Sequence, residues 1–240
     1  MLRSYNSFVK LITRIIGNVL IPAGLLIIIG VMYKLGIFTS AKAMPQDNKE
    51  SFMLLGTMIL AMGMASIWSV VDFYSFCATL NKKVQGIEFL KTSKRGAKFF
   101  MDAIVMDIIV RTFIYIVSGF LLFAEMHYFV GVGFREYFEG AYIIYAIGYG
   151  IGCATLFINR HFRNSQAFLI STYVIMMLHV MVFSIVQLAM PSLVKMHIPN
   201  FIVNHFMEMV AIFYVLVGVV SNILIVCKSK HCINTSWYND

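Results

Sequence analysis

The sequence has very little charge for its length. Only 12% of its 240 residues are Asp, Glu, Lys or Arg, whereas 60% are hydrophobic and the mean hydropathy is +0.82. A soluble domain of this size could not cover its core with so few polar residues. The composition therefore excludes an ordinary soluble domain and predicts an integral membrane protein. The net charge of +8 does not indicate nucleic acid, because no face combines basic with aromatic residues.

Several chemical signatures are also missing. The sequence has no Gly-x4-Gly-Lys-Ser/Thr phosphate loop and no Gly-Lys pair, so the chain is not predicted to bind ATP in that manner. It has no short apolar segment with a small-residue cleavage site, which predicts that the first apolar stretch is retained. The few cysteines, Cys77, Cys153, Cys227 and Cys232, fall in apolar stretches or at the predicted inner face and are expected to be reduced.

Six apolar stretches are long enough to cross the roughly 30 Å hydrocarbon core of a membrane, which takes about 20 residues of helix. They cover residues 15–38, 52–80, 101–124, 141–158, 167–190 and 201–227. The sequence therefore predicts an all-α integral membrane protein with six transmembrane helices, folded as one transmembrane domain over residues 1–240.

The distribution of basic residues predicts the orientation. If the N-terminus is cytoplasmic, thirteen of the nineteen Lys and Arg residues fall on the inner side. Basic residues resist translocation, so the side that carries more of them is normally cytoplasmic. The prediction is a multi-pass protein of the cell membrane with both termini inside, an N-in/C-in topology.

The N-terminal segment, residues 5–16, places apolar side chains such as Phe8, Leu11 and Ile15 against Lys10 and Arg14. Such a pattern is typical of an amphipathic helix that lies in the membrane interface. We therefore expect an N-terminal amphipathic helix at the inner interface.

A basic island follows the second predicted span. Six of the nineteen basic residues lie between Lys82 and Lys98. Apolar residues at Val84, Ile87 and Leu90 predict a short helix with one buried face. After a break over residues 92–96, a second helix is predicted to begin around residue 93 and to run into the third span. A cytoplasmic helix held between two spans suits the receipt of force from a partner, and a simple positive-inside anchor is the alternative.

The order of residues in the island carries a resemblance. Basic residues are followed by Gly-Ile-Glu-Phe-Leu at 86–90, by Thr-Ser-Lys-Arg at 92–95, and by a helix that returns to the membrane. This order resembles the loop between spans two and three of ABC-2 type permeases, where a Gly-Thr-Leu-Glu-Leu-Leu run precedes Pro-x-Ser-Arg. Here the Pro is absent and Lys-Arg stands where Ser-Arg is common. The predicted topology is similar to that family along almost the whole chain.

The resemblance implies that the chain is the permease domain of an ABC exporter, with no catalytic residue and no cofactor of its own. ATP and Mg would be bound by separate ABC ATPase subunits, and the chain would pair with a second copy or a paralogue. The residues expected to couple to the ATPase are Gln85, Gly86, Glu88, Phe89, Leu90, Lys91 and Lys94 after span two, and Asn159, Arg160 and Arg163 after span four.

The substrate is also an expectation from the resemblance. Similar permeases export amphipathic or antimicrobial peptides, including phenol-soluble modulins, so a hydrophobic peptide is expected, with a lipid or a drug as the alternative. The many Lys, Ile and Asn residues are typical of an AT-rich bacterial genome, which favours a bacterial plasma membrane. Residues 190–201, interrupted by Pro191 and Pro199, resemble the re-entrant helices of the family, and an ordinary interfacial loop is the alternative.

Two features inside the predicted spans have structural and functional interpretations. Asp107 and Arg111 are spaced i, i+4 and are predicted to neutralise one another in the inner half of span three, as a structural pair or as a coupling element. Gly148 and Gly152 lie one turn apart and allow another helix to approach, within the chain or in a partner.

His197, His205 and Glu208 are weak candidates for a metal site, and a helix-end polar cluster is the expected alternative. Two other functions stay open. A secondary transporter would need an ion-binding pair at mid-membrane, which only Asp107 and Arg111 offer. A membrane-embedded enzyme would need convergent polar groups, and no such constellation is evident in the sequence.

Overall fold

The computed structural model describes residues 1–9, 11–35, 67–68, 94–131, 133–159 and 205–234, together with 170, 173–175, 177–178 and 181. Every regular element in these residues is a helix. Most residues of the predicted spans over 52–80 and 167–190 lie outside the described residues. The predicted coupling helix over 85–91 and the segment 190–201 lie wholly outside them.

Six α-helices and one π-helical segment have both their ends within the described residues. They are α1 (Leu2–Phe8), α2 (Leu11–Ile15), a π-helical segment (Ile16–Leu20), α3 (Ile21–Lys34), α4 (Lys94–Val130), α5 (Phe134–Asn159) and α6 (Phe206–Asn234). The three longest helices contain no proline, so none of their backbone hydrogen bonds is lost to a missing N–H group. A helix of this kind satisfies its own backbone polar groups inside hydrocarbon.

Three helices are long and apolar enough to cross a membrane, over Arg95–Phe129, Ala141–Ile158 and Phe206–His231. The prediction of an all-helical membrane protein is confirmed to this extent. The six-span count and the orientation stay predictions.

Helix α4 is much longer than the span predicted for it. Its 37 residues correspond to about 55 Å, against a hydrocarbon core of roughly 30 Å. It begins at Lys94, so residues 94–96, which were predicted to belong to a break, are already helical. The helix therefore runs without interruption from the basic island into the membrane.

A tight turn reverses the chain after α4. Gly131 has a φ of 76°, which favours glycine, and its amide donates to the carbonyl of His127 at 3.0 Å. Helix α5 then runs back along α4, and the hydroxyl of Tyr137 donates to the carbonyl of Gly119. The two helices form an antiparallel hairpin.

Helices α5 and α6 pack closely along their lengths and run in the same direction. A Cβ added at Gly150 would lie 2.2 Å from the carbonyl oxygen of Tyr214, and one at Gly218 would lie 2.7 Å from the ring of Tyr149. The two glycines therefore allow near contact of the backbones. The close approach occurs within one chain, at Gly150, which lies between Gly148 and Gly152 on α5.

Aromatic side chains collect where α4 ends and α5 begins. The rings of Phe134, Phe138 and Tyr142 stack in sequence, with centroids 6.0 and 5.0 Å apart. The ammonium group of Lys34, at the end of α3, lies 4.2 Å from the ring centroid of Tyr128. Tyr and Lys side chains are typical of a membrane–water interface, so this end of the bundle is suited to one boundary of the membrane.

Candidate functional site

A buried ion pair joins the N-terminal helices to α4. The Nη2 atom of Arg14 lies 2.7 Å from Oδ1 of Asp107, and both residues are fully buried. The N-terminal sequence pattern predicts Arg14 on the polar side of an interfacial helix. The structure instead turns it inward, because a carboxylate 93 positions later provides a charge-assisted hydrogen bond.

Arg111 extends this pair towards α6. Its Nη1 atom lies 3.9 Å from Oδ2 of Asp107, and its Nη2 atom donates to Oδ1 of Asn222 at 3.1 Å. The centre of the guanidinium group is 5.4 Å from the ring of Trp68, which is itself fully buried. Hydrogen bonding and a cation–π contact thus both hold Arg111.

Asn222 carries the connection on to α5. Its Nδ2 atom donates to the hydroxyl of Tyr149 at 3.1 Å and to the sulfur of Cys153 at 3.5 Å. The hydroxyl of Tyr149 also bonds to Oγ1 of Thr112 on α4, at 3.1 Å. We call Arg14, Asp107, Arg111, Asn222 and Tyr149 the buried ion network.

The network lies at a similar depth on each of its long helices. From the aromatic end of the bundle, Arg111 is about 28 Å along α4, Asn222 about 24 Å along α6 and Tyr149 about 22 Å along α5, at 1.5 Å per residue. By the same measure Asp107 lies about 34 Å along α4, so the network extends from inside a hydrocarbon core of roughly 30 Å to its boundary at the basic end. Charge at such a position is costly and is commonly functional.

A second set of groups surrounds Arg14. Burial raises the pKa of Tyr5 on α1 to about 12, and the negative charge of Asp107 adds to the effect while Arg14 opposes it. Tyr5 therefore stays neutral at physiological pH. Asn18, in the π-helical segment, donates to the carbonyl of Arg14 at 2.8 Å. Single π-helical turns inside α-helices are frequent at functional sites.

Part of this network was predictable from the sequence. The structure brings Asp107 and Arg111 within 3.9 Å of each other, as their spacing suggested, but the shorter contact of Asp107 is with Arg14. Asn222 was missed, although an Asn in the middle of the apolar α6 is a signal that hydropathy alone could have raised. No local pattern in the sequence predicts the contact of Trp68 with Arg111.

The predicted ATPase-coupling residues are placed only in part. Eight of them lie outside the described residues, namely Gln85, Gly86, Glu88, Phe89, Leu90, Lys91, Arg160 and Arg163. Lys94 is the first residue of α4, and Asn159 is the last residue of α5.

The candidate metal ligands form only a pair in the described chain. Nδ1 of His205 lies 2.8 Å from Oε2 of Glu208, and both side chains are about half exposed. His197 lies outside the described residues. Within those residues, no group of three or more His, Cys, Asp or Glu side chains could hold a metal ion.

An open groove lies beside the network, between α4 and α6. It has a volume of about 410 Å³ and a largely apolar lining. Its lining residues are Val105, Ile108, Ile109, Tyr149, Val219, Asn222, Ile223, Val226 and Cys227. We call it the α4–α6 groove. Asn222 and Tyr149 thus belong both to the groove and to the buried ion network.

No family model, curated protein or solved structure matches this chain. The arrangement itself indicates what the site can do. The ion pair and its hydrogen bonds tie four helices of the bundle to one another, so the network can hold or release the relative positions of these helices.

Proposed function

We propose that the chain is the transmembrane subunit of an ATP-driven ABC exporter, with ATP hydrolysed on separate ATPase subunits. One observation carries the proposal. Helix α4 is continuous from Lys94, in the basic island, to Asp107 and Arg111 in the buried ion network. A rigid helix of this kind can transmit a displacement from the cytoplasmic surface into the membrane.

The geometry suggests how the movement is passed on. Asp107 lies thirteen residues after Lys94, or about 20 Å along the helix. A force on the segment before Lys94 moves α4. The helices that are hydrogen-bonded to α4 must then move with it, or the hydrogen bonds between them must break. The neighbours are α2 through Arg14 and α6 through Asn222. Binding of the ATPase is thereby converted into rocking of the spans.

The partner contact is proposed to lie in the basic island. Glu88, Lys91 and Lys94 would meet charged groups on the ATPase, and Phe89 and Leu90 would fill a cleft in it. A chain with six short spans forms half of a pathway, so the exporter would contain a second copy or a paralogue. The proposed cargo is a hydrophobic or amphipathic peptide leaving a bacterial cell.

Co-purification tests the proposal. We expect the tagged chain, extracted from its native membrane, to bring with it a stoichiometric ATPase that contains a phosphate loop. Glu88→Arg should lower the retained ATPase by more than about tenfold, because a like-charge contact costs several kcal/mol. Quantitative mass spectrometry of the two preparations measures the change.

Glu208→Arg is the matched control. Glu208 is exposed at the start of α6, at the end of the bundle opposite to Lys94, so its reversal should leave the ATPase bound. If the chain purifies alone and Glu88→Arg changes nothing, the basic island is an anchor and the proposal is wrong.

The buried ion network favours one second candidate, an ion-coupled secondary transporter. Such proteins carry paired ionisable residues within their bundle of helices, and Asp107 with its two arginine neighbours is a group of this kind, placed closer to the basic end of the bundle than to mid-membrane. Transport in sealed vesicles separates the two functions. The exporter requires ATP on the ATPase side and tolerates a protonophore, whereas the secondary transporter is stopped by the protonophore and needs no ATP.

A further inference from the structure

The α4–α6 groove opens on a surface that faces the membrane. Ile109 on one wall is 53% exposed, and Val219 and Ile223 on the other wall are 45% and 56% exposed. Large apolar side chains with this exposure, on helices long enough to span, are suited to contact with lipid chains. An occupant of the groove must therefore be apolar over most of its length.

The groove runs towards the basic end of the bundle. Val105 marks its lower end on α4, and Val226 and Cys227 mark it on α6. Lys98 precedes Val105 by two helical turns, and Lys230 follows Val226 by one turn. These spacings put both lysines on the groove faces of their helices. Both lysines are exposed.

Charge at this end is unbalanced. The described parts of α4 and α6 bring five Lys or Arg residues there, against one carboxylate. The basic residues are Lys94, Arg95, Lys98, Lys228 and Lys230, and the carboxylate is Asp102. Basic pockets between transmembrane helices on the cytoplasmic side bind acidic lipid headgroups. In the predicted orientation this end is cytoplasmic, where anionic lipids are available.

We propose that the α4–α6 groove binds one acyl chain of an anionic phospholipid, whose phosphate is held between Lys98 and Lys230. The apolar walls receive the chain, and Asn222 with Tyr149 provides the polar part of the lining. Because Asn222 is also bonded to Arg111, the bound lipid touches the residue that links α6 to α4. The inference goes beyond the proposed transport function and needs no ATPase.

Cys227 provides a native reporter, since it lines the groove and is exposed. A chain with Cys77→Ser, Cys153→Ala and Cys232→Ser retains this thiol alone. The chain is placed in nanodiscs of phosphatidylcholine, with or without phosphatidylglycerol, and the rate of maleimide alkylation is measured. We expect phosphatidylglycerol to slow alkylation several-fold, and native mass spectrometry to show one retained phosphatidylglycerol. Soluble glycerol phosphate should have no effect.

Two variants test the two parts of the site. Lys98→Gln combined with Lys230→Gln removes the charge, and Val219→Phe fills the groove, so each should abolish the effect of phosphatidylglycerol on alkylation. Arg3→Gln, at an exposed residue of α1, and Val220→Phe, at an exposed neighbour outside the groove lining, are the matched controls and should preserve it.

Three results would overturn the inference. Alkylation could be insensitive to phosphatidylglycerol, the slowing could survive the double lysine variant, or an amphipathic peptide could protect Cys227 where phosphatidylglycerol does not. Since no ATPase is present in the nanodiscs, each of these results leaves the co-purification test of the exporter proposal unaffected.

Discussion

Replacing Asp107 by Ala lowers the free energy of unfolding by about 3 to 5 kcal/mol, because two buried guanidinium groups lose the carboxylate between them. For a chain of this size the loss corresponds to a fall of roughly 10 °C in melting temperature. The expected result is measured as the temperature at which the detergent-solubilised protein loses its monodisperse peak in size-exclusion chromatography.

Asp102→Asn is the matched control for this prediction. Asp102 lies on the same helix, is only partly buried, and has no described role in the network, so its change should stay within about 0.5 kcal/mol. A double variant, Arg14→Met with Asp107→Leu, removes the closer ion pair and leaves one buried guanidinium group without the carboxylate instead of two, so it should be more stable than Asp107→Ala alone. If Asp107→Ala and Asp102→Asn melt together, the buried ion network does not stabilise the fold.

The second large effect is expected at Gly150. An alanine Cβ there would lie 2.2 Å from the carbonyl oxygen of Tyr214. A backbone atom cannot relieve this overlap by a change of rotamer, as the end of a side chain can. Helices α5 and α6 must separate to admit it, which we expect to cost about 3 kcal/mol. Gly150→Ala should therefore melt several degrees below the native chain.

Gly24→Ala shows whether this loss comes from contact or from glycine itself. Gly24 is also helical, but a Cβ added there meets nothing within 4 Å. Alanine is favoured over glycine within a helix by up to about 1 kcal/mol, so this variant should be as stable as the native chain or more so. A loss at Gly24 equal to that at Gly150 would contradict the packing of α5 against α6.

Local sequence patterns predicted the helices well where the pattern was long. The apolar runs at 101–124, 141–158 and 201–227 all correspond to observed helices, because an apolar run of about 20 residues matches the thickness of the hydrocarbon core. The ends of the helices were predicted less accurately. Helix α4 begins seven residues before the predicted span, since charged residues such as Lys98 form helix well but lower hydropathy.

The site was predictable only in its local part. Asp107 and Arg111 are four residues apart, so helical periodicity alone placed them side by side. Arg14 and Asn222 are separated from their partners by 93 and 111 positions, and periodicity carries no information about contacts between distant segments. The sequence therefore indicated an intramembrane charge pair but not the four-helix network to which it belongs.

The distance along the chain between Arg14 and Asp107 has a consequence for biosynthesis. The two residues are 93 positions apart, so at about 5 to 20 residues per second the ribosome makes Asp107 roughly 5 to 20 seconds after Arg14. During this interval Asp107 does not yet exist, so the charge of Arg14 cannot be paired with it inside the membrane. Helices α1 and α2 must therefore wait at the aqueous surface of the nascent protein and dock only after α4 is inserted. The first helices to be synthesised are thus among the last to reach their final positions.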